Sequence, residues 1–313
     1  MSKDIAEKRL EEHNDVFADI FNNLLFEGKK ILKEDELISL PSASYVREVD
    51  GKIHEKNRDI RKVDKNKNMY RLVYGLENQT DVDNTMPERV MGYDYAVYEA
   101  QIKEIMNENK RKKNPAYSKR IHDDQKIAPS VTVVLYWGEK WEGPRKLHDM
   151  LGFPDDTEDI LRTLVPDYTV NLIEVGKIGK DIRDKLTSDF RFVAECAACR
   201  RQTGNLRKLI SDRKYTIKHP EEVLDTLAEV LSDVRFKKAK EMLIEREQEG
   251  VTVCEALDQL MEEKREQGIQ QGIQQAVYLL VKAGTLRLED AAAFLGISVE
   301  EVKENIFSIE DVA

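Results

Sequence analysis

The chain has 313 residues, 41% of them hydrophobic and 35% charged, with a formal net charge of −10. That length supports one large domain with an appendage or two domains. So acidic a balance repels a phosphate backbone, and any nucleic-acid contact requires a local basic patch. No apolar run approaches the ~20 residues of a membrane span, and the N-terminus has no apolar signal core. Three cysteines, an odd number, suit a reducing compartment, so a cytoplasmic protein is expected.

From about Asp4 to Glu27, the spacing of Phe17, Ile20, Phe21, Leu24 and Leu25 predicts an amphipathic helix stopped at Gly28. Pro41 opens a stretch of short strands. Tyr45–Val49 alternates and ends at the turn signal Asp50-Gly51. Arg58–Val63 and Met69–Gln79 are two further strands, with Lys65-Asn66-Lys67-Asn68 as their hairpin loop. Asp83 or Asn84 can cap the next helix, which has Pro87 in its first turn and runs to about Asn109. A basic loop follows, from Lys110 to Arg120. Val131–Trp137 is apolar and β-branched, as a central strand buried on both faces should be.

Beyond Pro154 the composition turns helical, with one more strand expected in Tyr168–Val175. Glu221–Gln248 and Val251–Lys282 read as helices separated at Gly250, and Gly268-Ile269-Gln270-Gln271 repeats at once as Gly272-Ile273-Gln274-Gln275. Arg287–Phe294 and Ser298–Ile306 form a last helix pair joined at Gly296, with Ser298 and Glu301 as a capping box. The expected division is 1–195 for the α/β part, 196–266 for a helical extension and 267–313 for a C-terminal helical hairpin.

Arg58–Val63 carries Asp59, and Met69–Gln79 ends in Glu77-Asn78-Gln79. Glu77 and Gln79 are two apart and share one strand face. Two carboxylates on neighbouring strands can hold Mg²⁺, which prefers carboxylate and water oxygens and activates water against a phosphodiester. The pair must lie on one face. Pairing Lys65 with Met69 sets Asp59 opposite Gly75 and diagonal to Glu77; a loop one residue different sends Asp59 to the other face unless a bulge intervenes. The same residues also suit the polar edge of an ordinary hairpin.

The stretches His13–Phe17, Arg58–Arg61, Leu76–Thr80, Met86–Arg89 with Tyr93-Asp94, and Val131–Trp137 together resemble the PD-(D/E)XK nuclease superfamily. The closer resemblance is to the bacterial family of recombination-promoting nucleases and PD-(D/E)XK transposase-like proteins, over roughly residues 10–190. It implies an α/β fold, with a restriction-endonuclease-like core of helix, three strands, helix and strand and an all-helical C-terminal extension. It further implies a Mg²⁺-dependent DNA endonuclease in which Asp59 and Glu77 hold the metal, Gln79 takes the place of the motif's Lys and orients water, and Asp15 is an additional metal-facing acid or an exposed helical one. Arg89 and Tyr93, on one helix face, are expected to contact DNA phosphate or to pair with Glu88 or Asp94. Arg58 stands where the motif has Pro, and Gln79 supplies no positive charge.

Lys110, Arg111, Lys112, Lys113, Lys119 and Arg120 form the densest basic run, and Arg200, Arg201, Arg207, Lys208, Arg213 and Lys214 a second; each is a DNA contact or a solvated surface. Cys196-Ala197-Ala198-Cys199 has zinc spacing but no second pair of ligands. The last helix pair resembles a small helix-turn-helix, but Glu300, Glu301, Glu304 and Glu310 on its second helix favour homo-oligomerisation or protein contact over DNA. The alternative to the nuclease is a catalytically silent nuclease-like core that binds DNA or assembles through its helical tail.

Overall fold

The computed structural model describes residues 9–41, 43–47, 53–57, 59–66, 69–112, 120–200, 208–209, 215–245 and 252–308. The spacing of Val16, Phe17, Ile20 and Phe21 produces helix α1 (Asn14–Ile20), continued by one π-helical segment, Phe21–Leu25. The expected start at Asp4 lies outside the described residues; residues 9–11 are helical, and the chain turns before α1. Gly28, at φ +87°, carries the chain away where a side chain would be strained.

Five strands form the sheet: β1 (Leu37–Ser39), β4 (Ile60–Asn66), β5 (Met69–Gln79), β6 (Ser130–Tyr136) and β7 (Asn171–Glu174), hydrogen-bonded in that order. The first three are antiparallel, and β6 and β7 continue the sheet in parallel with β5. Helix α2 (Met86–Arg111) supplies the crossover from β5 to β6. The strand expected at Tyr45–Val49 is not part of this sheet over its described residues, Tyr45–Arg47. Strand β2 (Ala43–Arg47) pairs only with β3 (Ile53–Asn57), as a separate ribbon, and the sheet's first strand is the three-residue β1.

The β4–β5 register corrects the expected one. Asn66, not Lys65, pairs with Met69, which displaces the register by one residue. A bulge between Asp64 and Lys65 displaces it by another. Two single shifts restore the parity of the pleat. Arg61 therefore opposes Gly75, Ile60 opposes Leu76, and the ladder extended by one residue sets Asp59 across from Glu77. Asp59 keeps its face but is a direct neighbour of Glu77 rather than a diagonal one.

The sheet is covered on both faces. Phe17 and Phe21 of α1 meet Tyr74 edge-on, with ring centroids 6.5 and 5.3 Å away. Tyr74, Leu76, Ile60, Val133 and Leu135 join them in the main core. The other face carries Val63, Val73, Val134 and Tyr136, packed against Val90 and Val97 of α2. Val133, Val134 and Leu135 are fully enclosed, as expected for a strand buried on both sides.

After β7 the described chain is largely helical: α4 (Lys180–Arg183), α5 (Phe190–Ala198), α6 (Pro220–Val230), α7 (Val234–Glu245), α8 (Val253–Lys282), α9 (Leu288–Leu295) and α10 (Val299–Ser308), with the short α3 (Glu158–Leu164) lying earlier, between β6 and β7. The helix expected over Glu221–Gln248 breaks after Val230, where Ser232 takes a left-handed φ of 53°. Phe190, Val223, Leu224, Phe236, Ala256 and Leu257 belong to the same core as α1 and the sheet, so α5, α6, α7 and the start of α8 complete that layer. The expected boundary at 195/196 falls within α5 and that at 266/267 within α8. A smaller separate core gathers Val277, Tyr278, Ala291, Ala292 and Val302. Gly296, at φ +68°, and the Ser298–Glu301 capping box join α9 to α10 as expected. The protein is thus an α/β protein with a five-stranded mixed sheet and a largely helical C-terminal part.

Lys62 points from β4 into the α1 face, 1% exposed. Its ammonium donates to Glu12 O and Asn14 Oδ1, each at 2.5 Å, and lies 5.2 Å from the centre of the Phe17 ring. Burial pushes its pKa down to about 8, against the pull of the Glu12 and Asp15 carboxylates. The unfolded chain holds that proton up to its ordinary value of 10.5. Between these values the unfolded state binds more protons, so stability rises with pH across the window, whereas below it the cost of the buried charge is fully present. Denaturant titrations of the wild type and Lys62→Met at pH 7, 8, 9 and 10 should show this climb in the wild type only; parallel profiles would contradict it.

Candidate functional site

Asp59 immediately precedes β4. Its Oδ2 accepts the Asn78 backbone N–H at 2.7 Å, so the carboxylate stands where a strand carbonyl would continue the ladder. Across from it, Glu77 is 2% exposed. Its Oε1 accepts from Arg89 Nη2, from the Tyr93 hydroxyl at 3.2 Å and from Gln79 Nε2 at 3.4 Å. Its Oε2 is buried with no hydrogen-bond partner among the described residues.

The entry to α2 explains why Arg89 and Tyr93 arrive there. Asp83 Oδ1 accepts the Thr85 N–H at 2.8 Å and its hydroxyl at 2.7 Å, which turns the chain, and Pro87 fits the first helical turn. Arg89 and Tyr93, one turn apart, then face the sheet. Arg89 Nη1 reaches back to Asp83 Oδ2 at 2.7 Å, and Nη2 donates to the Tyr93 hydroxyl at 2.9 Å. Asp83 was expected only as a cap; its link to Arg89 had no signal in the sequence.

The electrostatics follow from crowding two acids under one arginine. Burial first, then the neighbouring Asp59 carboxylate, push the Glu77 carboxyl well above the ordinary carboxylate range, against the pull of Arg89, the Tyr93 hydroxyl and the Asp59 backbone N–H. Burial and the Glu77 charge push the Tyr93 hydroxyl up to about 12. Burial alone would lower Arg89, but its bonds to Asp83 and Tyr93 and the Glu77 charge hold it above its ordinary value. Burial would raise Asp83, and its bonds to Arg89 and Thr85 hold it below the usual carboxylate value.

Asp15 and the basic runs lie elsewhere, and Arg89 and Tyr93 have protein acids as partners. Asp15 belongs to α1, on the sheet face opposite Glu77, and its carboxylate pairs with Lys218 Nζ at 3.1 Å and His219 Nε2 at 3.3 Å. Burial raises its pKa, but these partners and the Val16 N–H hold it below the ordinary value. Arg89 and Tyr93 are engaged with acids of the protein, not turned toward solvent. Lys110, Arg111 and Lys112 are exposed at the far end of α2, about six turns or ~30 Å from Arg89. Lys113 and Arg58 lie outside the described residues, as do Arg201, Arg207, Arg213 and Lys214 of the second basic run.

Asn78 is a site residue the sequence did not reveal. Its backbone holds Asp59, while its side chain turns to the α1 face. There Nδ2 donates to Glu11 Oε2 at 2.6 Å and Oδ1 accepts from Trp137 Nε1 at 2.8 Å. The only available signal was a polar residue on the buried side of a strand.

No family model, curated protein or solved structure matches the chain. Among the described residues no group of three or more histidine, cysteine, aspartate or glutamate side chains is placed to hold a metal ion, and no helix is long and apolar enough to cross a membrane. The Asp59–Glu77 pair nevertheless suits Mg²⁺. That ion is commonly held by one or two carboxylates, with water and phosphate completing its shell. A buried carboxylate oxygen without a donor, beside a second acid, has the chemistry of a hard-cation ligand.

Proposed function

We propose that this chain is a Mg²⁺-dependent DNA endonuclease with a PD-(D/E)XK-type core, akin to the recombination-promoting nucleases and transposase-like proteins it resembles in sequence. The observation that carries this reading is the Asp59–Glu77 pair at the end of the β4–β5 hairpin, with Glu77 Oε2 buried and without a hydrogen-bond partner among the described residues. The order helix, three sheet strands, helix and strand supports it. Asp59 and Glu77 would hold the ion, which supplies charge neutralisation at the phosphate and a more acidic water. Gln79, beside Glu77, would orient that water as a neutral donor and acceptor. Lys110, Arg111 and Lys112 would meet a duplex ~30 Å from the cut, about nine base pairs along at 3.4 Å per step. Exposed Ile269, Ile273, Leu279 and Leu280 on α8 and Phe294 on α9 support a homo-oligomer through the C-terminal helices.

Supercoiled plasmid incubated with the protein should be nicked in Mg²⁺ and remain intact in EDTA. Equal products in both would remove the metal-dependent reading. Salt-sensitive DNA binding without cleavage would favour instead a silent core used for binding or assembly, which the Arg89 guanidinium already on Glu77 and the neutral Gln79 also suit.

A further inference from the structure

The two oxygens of Glu77 have opposite surroundings. All the side-chain donors found on this carboxylate fall on Oε1: Arg89 Nη2, the Tyr93 hydroxyl and Gln79 Nε2. None falls on Oε2. The donors are themselves fixed. Arg89 is held from its other side by Asp83, and its Nε and Nη2 both donate to the Tyr93 hydroxyl, at 3.3 and 2.9 Å. Tyr93 is 4% exposed, packed within α2 against the sheet. A free carboxylate would rotate to share donors between its oxygens; this one is tied by a planar guanidinium and a buried phenol that themselves have little freedom.

We propose that Arg89 and Tyr93 are positioning residues that clamp Glu77 by Oε1 and so present Oε2, beside Asp59, to a divalent cation. The inference rests on the nuclease reading and gives these two residues a role in place of direct phosphate contact. The clamp has a second effect. The positive charge of Arg89 balances Glu77 before an ion arrives, which keeps a buried acid beside the half-buried Asp59 tolerable in the free protein.

The test is direct cation binding by the full chain. Isothermal titration with MgCl₂, and with MnCl₂ as a tighter probe, would be run on the wild type, Arg89→Ala, Arg89→Lys, Tyr93→Phe and Asp59→Asn, with melting curves to confirm folding. Loss of the clamp should weaken cation affinity at least 10-fold in Arg89→Ala and several-fold in Tyr93→Phe, with Arg89→Lys recovering part of the loss. Tyr93→Phe keeps the test decisive if Arg89→Ala does not fold, because it removes one hydroxyl and leaves the packing. Unchanged affinity in Tyr93→Phe and Arg89→Lys, or tighter binding in any Arg89 variant, would overturn the clamp, the latter by showing that Arg89 competes with the ion. A wild type that binds no cation, or an Asp59→Asn variant that binds as well as the wild type, would instead overturn the carboxylate-pair reading itself and the clamp with it.

Discussion

Asp59→Asn is expected to lower Mg²⁺-dependent plasmid nicking by on the order of 10³-fold while leaving the protein folded. The substitution keeps the shape of the side chain, and the amide oxygen can still accept the Asn78 N–H that Asp59 Oδ2 now accepts at 2.7 Å. What it removes is one negative charge from a pair. A carboxylate ~4 Å from a divalent ion is worth several kcal/mol even at an effective dielectric of ~20, and a 10³-fold loss corresponds to about 4 kcal/mol. The same change relieves Glu77 of a like charge, so the melting temperature should hold or rise. Nicking at the wild-type rate, with a melting temperature within a few degrees of the wild type, would remove Asp59 from the site.

Phe17→Ala is expected to cost about 3–5 kcal/mol of folding stability. The Phe17 side chain is fully enclosed, stacks on Phe21 at 4.7 Å between ring centroids and meets Tyr74 edge-on. It also lies beneath the Lys62 ammonium, so truncation removes apolar contacts, leaves a cavity and strips a cation of its aromatic neighbour. Phe17→Leu should cost about half as much, because most of the volume is refilled. Urea midpoints for the two variants check this. A Phe17→Ala loss below about 1 kcal/mol would mean that α1 is not the anchor of this sheet face.

The elements that were legible in the sequence are those with long or strongly apolar patterns. β6 announced itself through Val131–Leu135, β5 through its full span Met69–Gln79, and the α9–α10 corner through Gly296 and Ser298. β1 was not legible, because three residues are too few to show a period of two. The clearer alternation is at Tyr45–Val49, and its strand pairs in a ribbon outside the sheet. At the site, Glu77 and Gln79 could be placed on one face from spacing alone. The position of Asp59 could not, since it depends on a turn length and a bulge that no single residue specifies. The bond from Arg89 to Glu77 and the removal of Asp15 to Lys218 and His219 are long-range outcomes of how α1 and α2 dock. Local propensity carries no information about either.

At Asn78 the sheet is one residue thick, and that residue belongs to both of its sides. The backbone steadies the Asp59 carboxylate, and the side chain is moored to Glu11 and Trp137 in the solvent-remote interior. The acids of the candidate site therefore do not float on a surface that can be rebuilt independently of the core. The identities of Glu11 and Trp137, buried on the other face of the sheet, constrain the aim of Asp59 as directly as its own neighbours do. Grafting the hairpin onto another scaffold would carry over the acids but not the mooring that orients them.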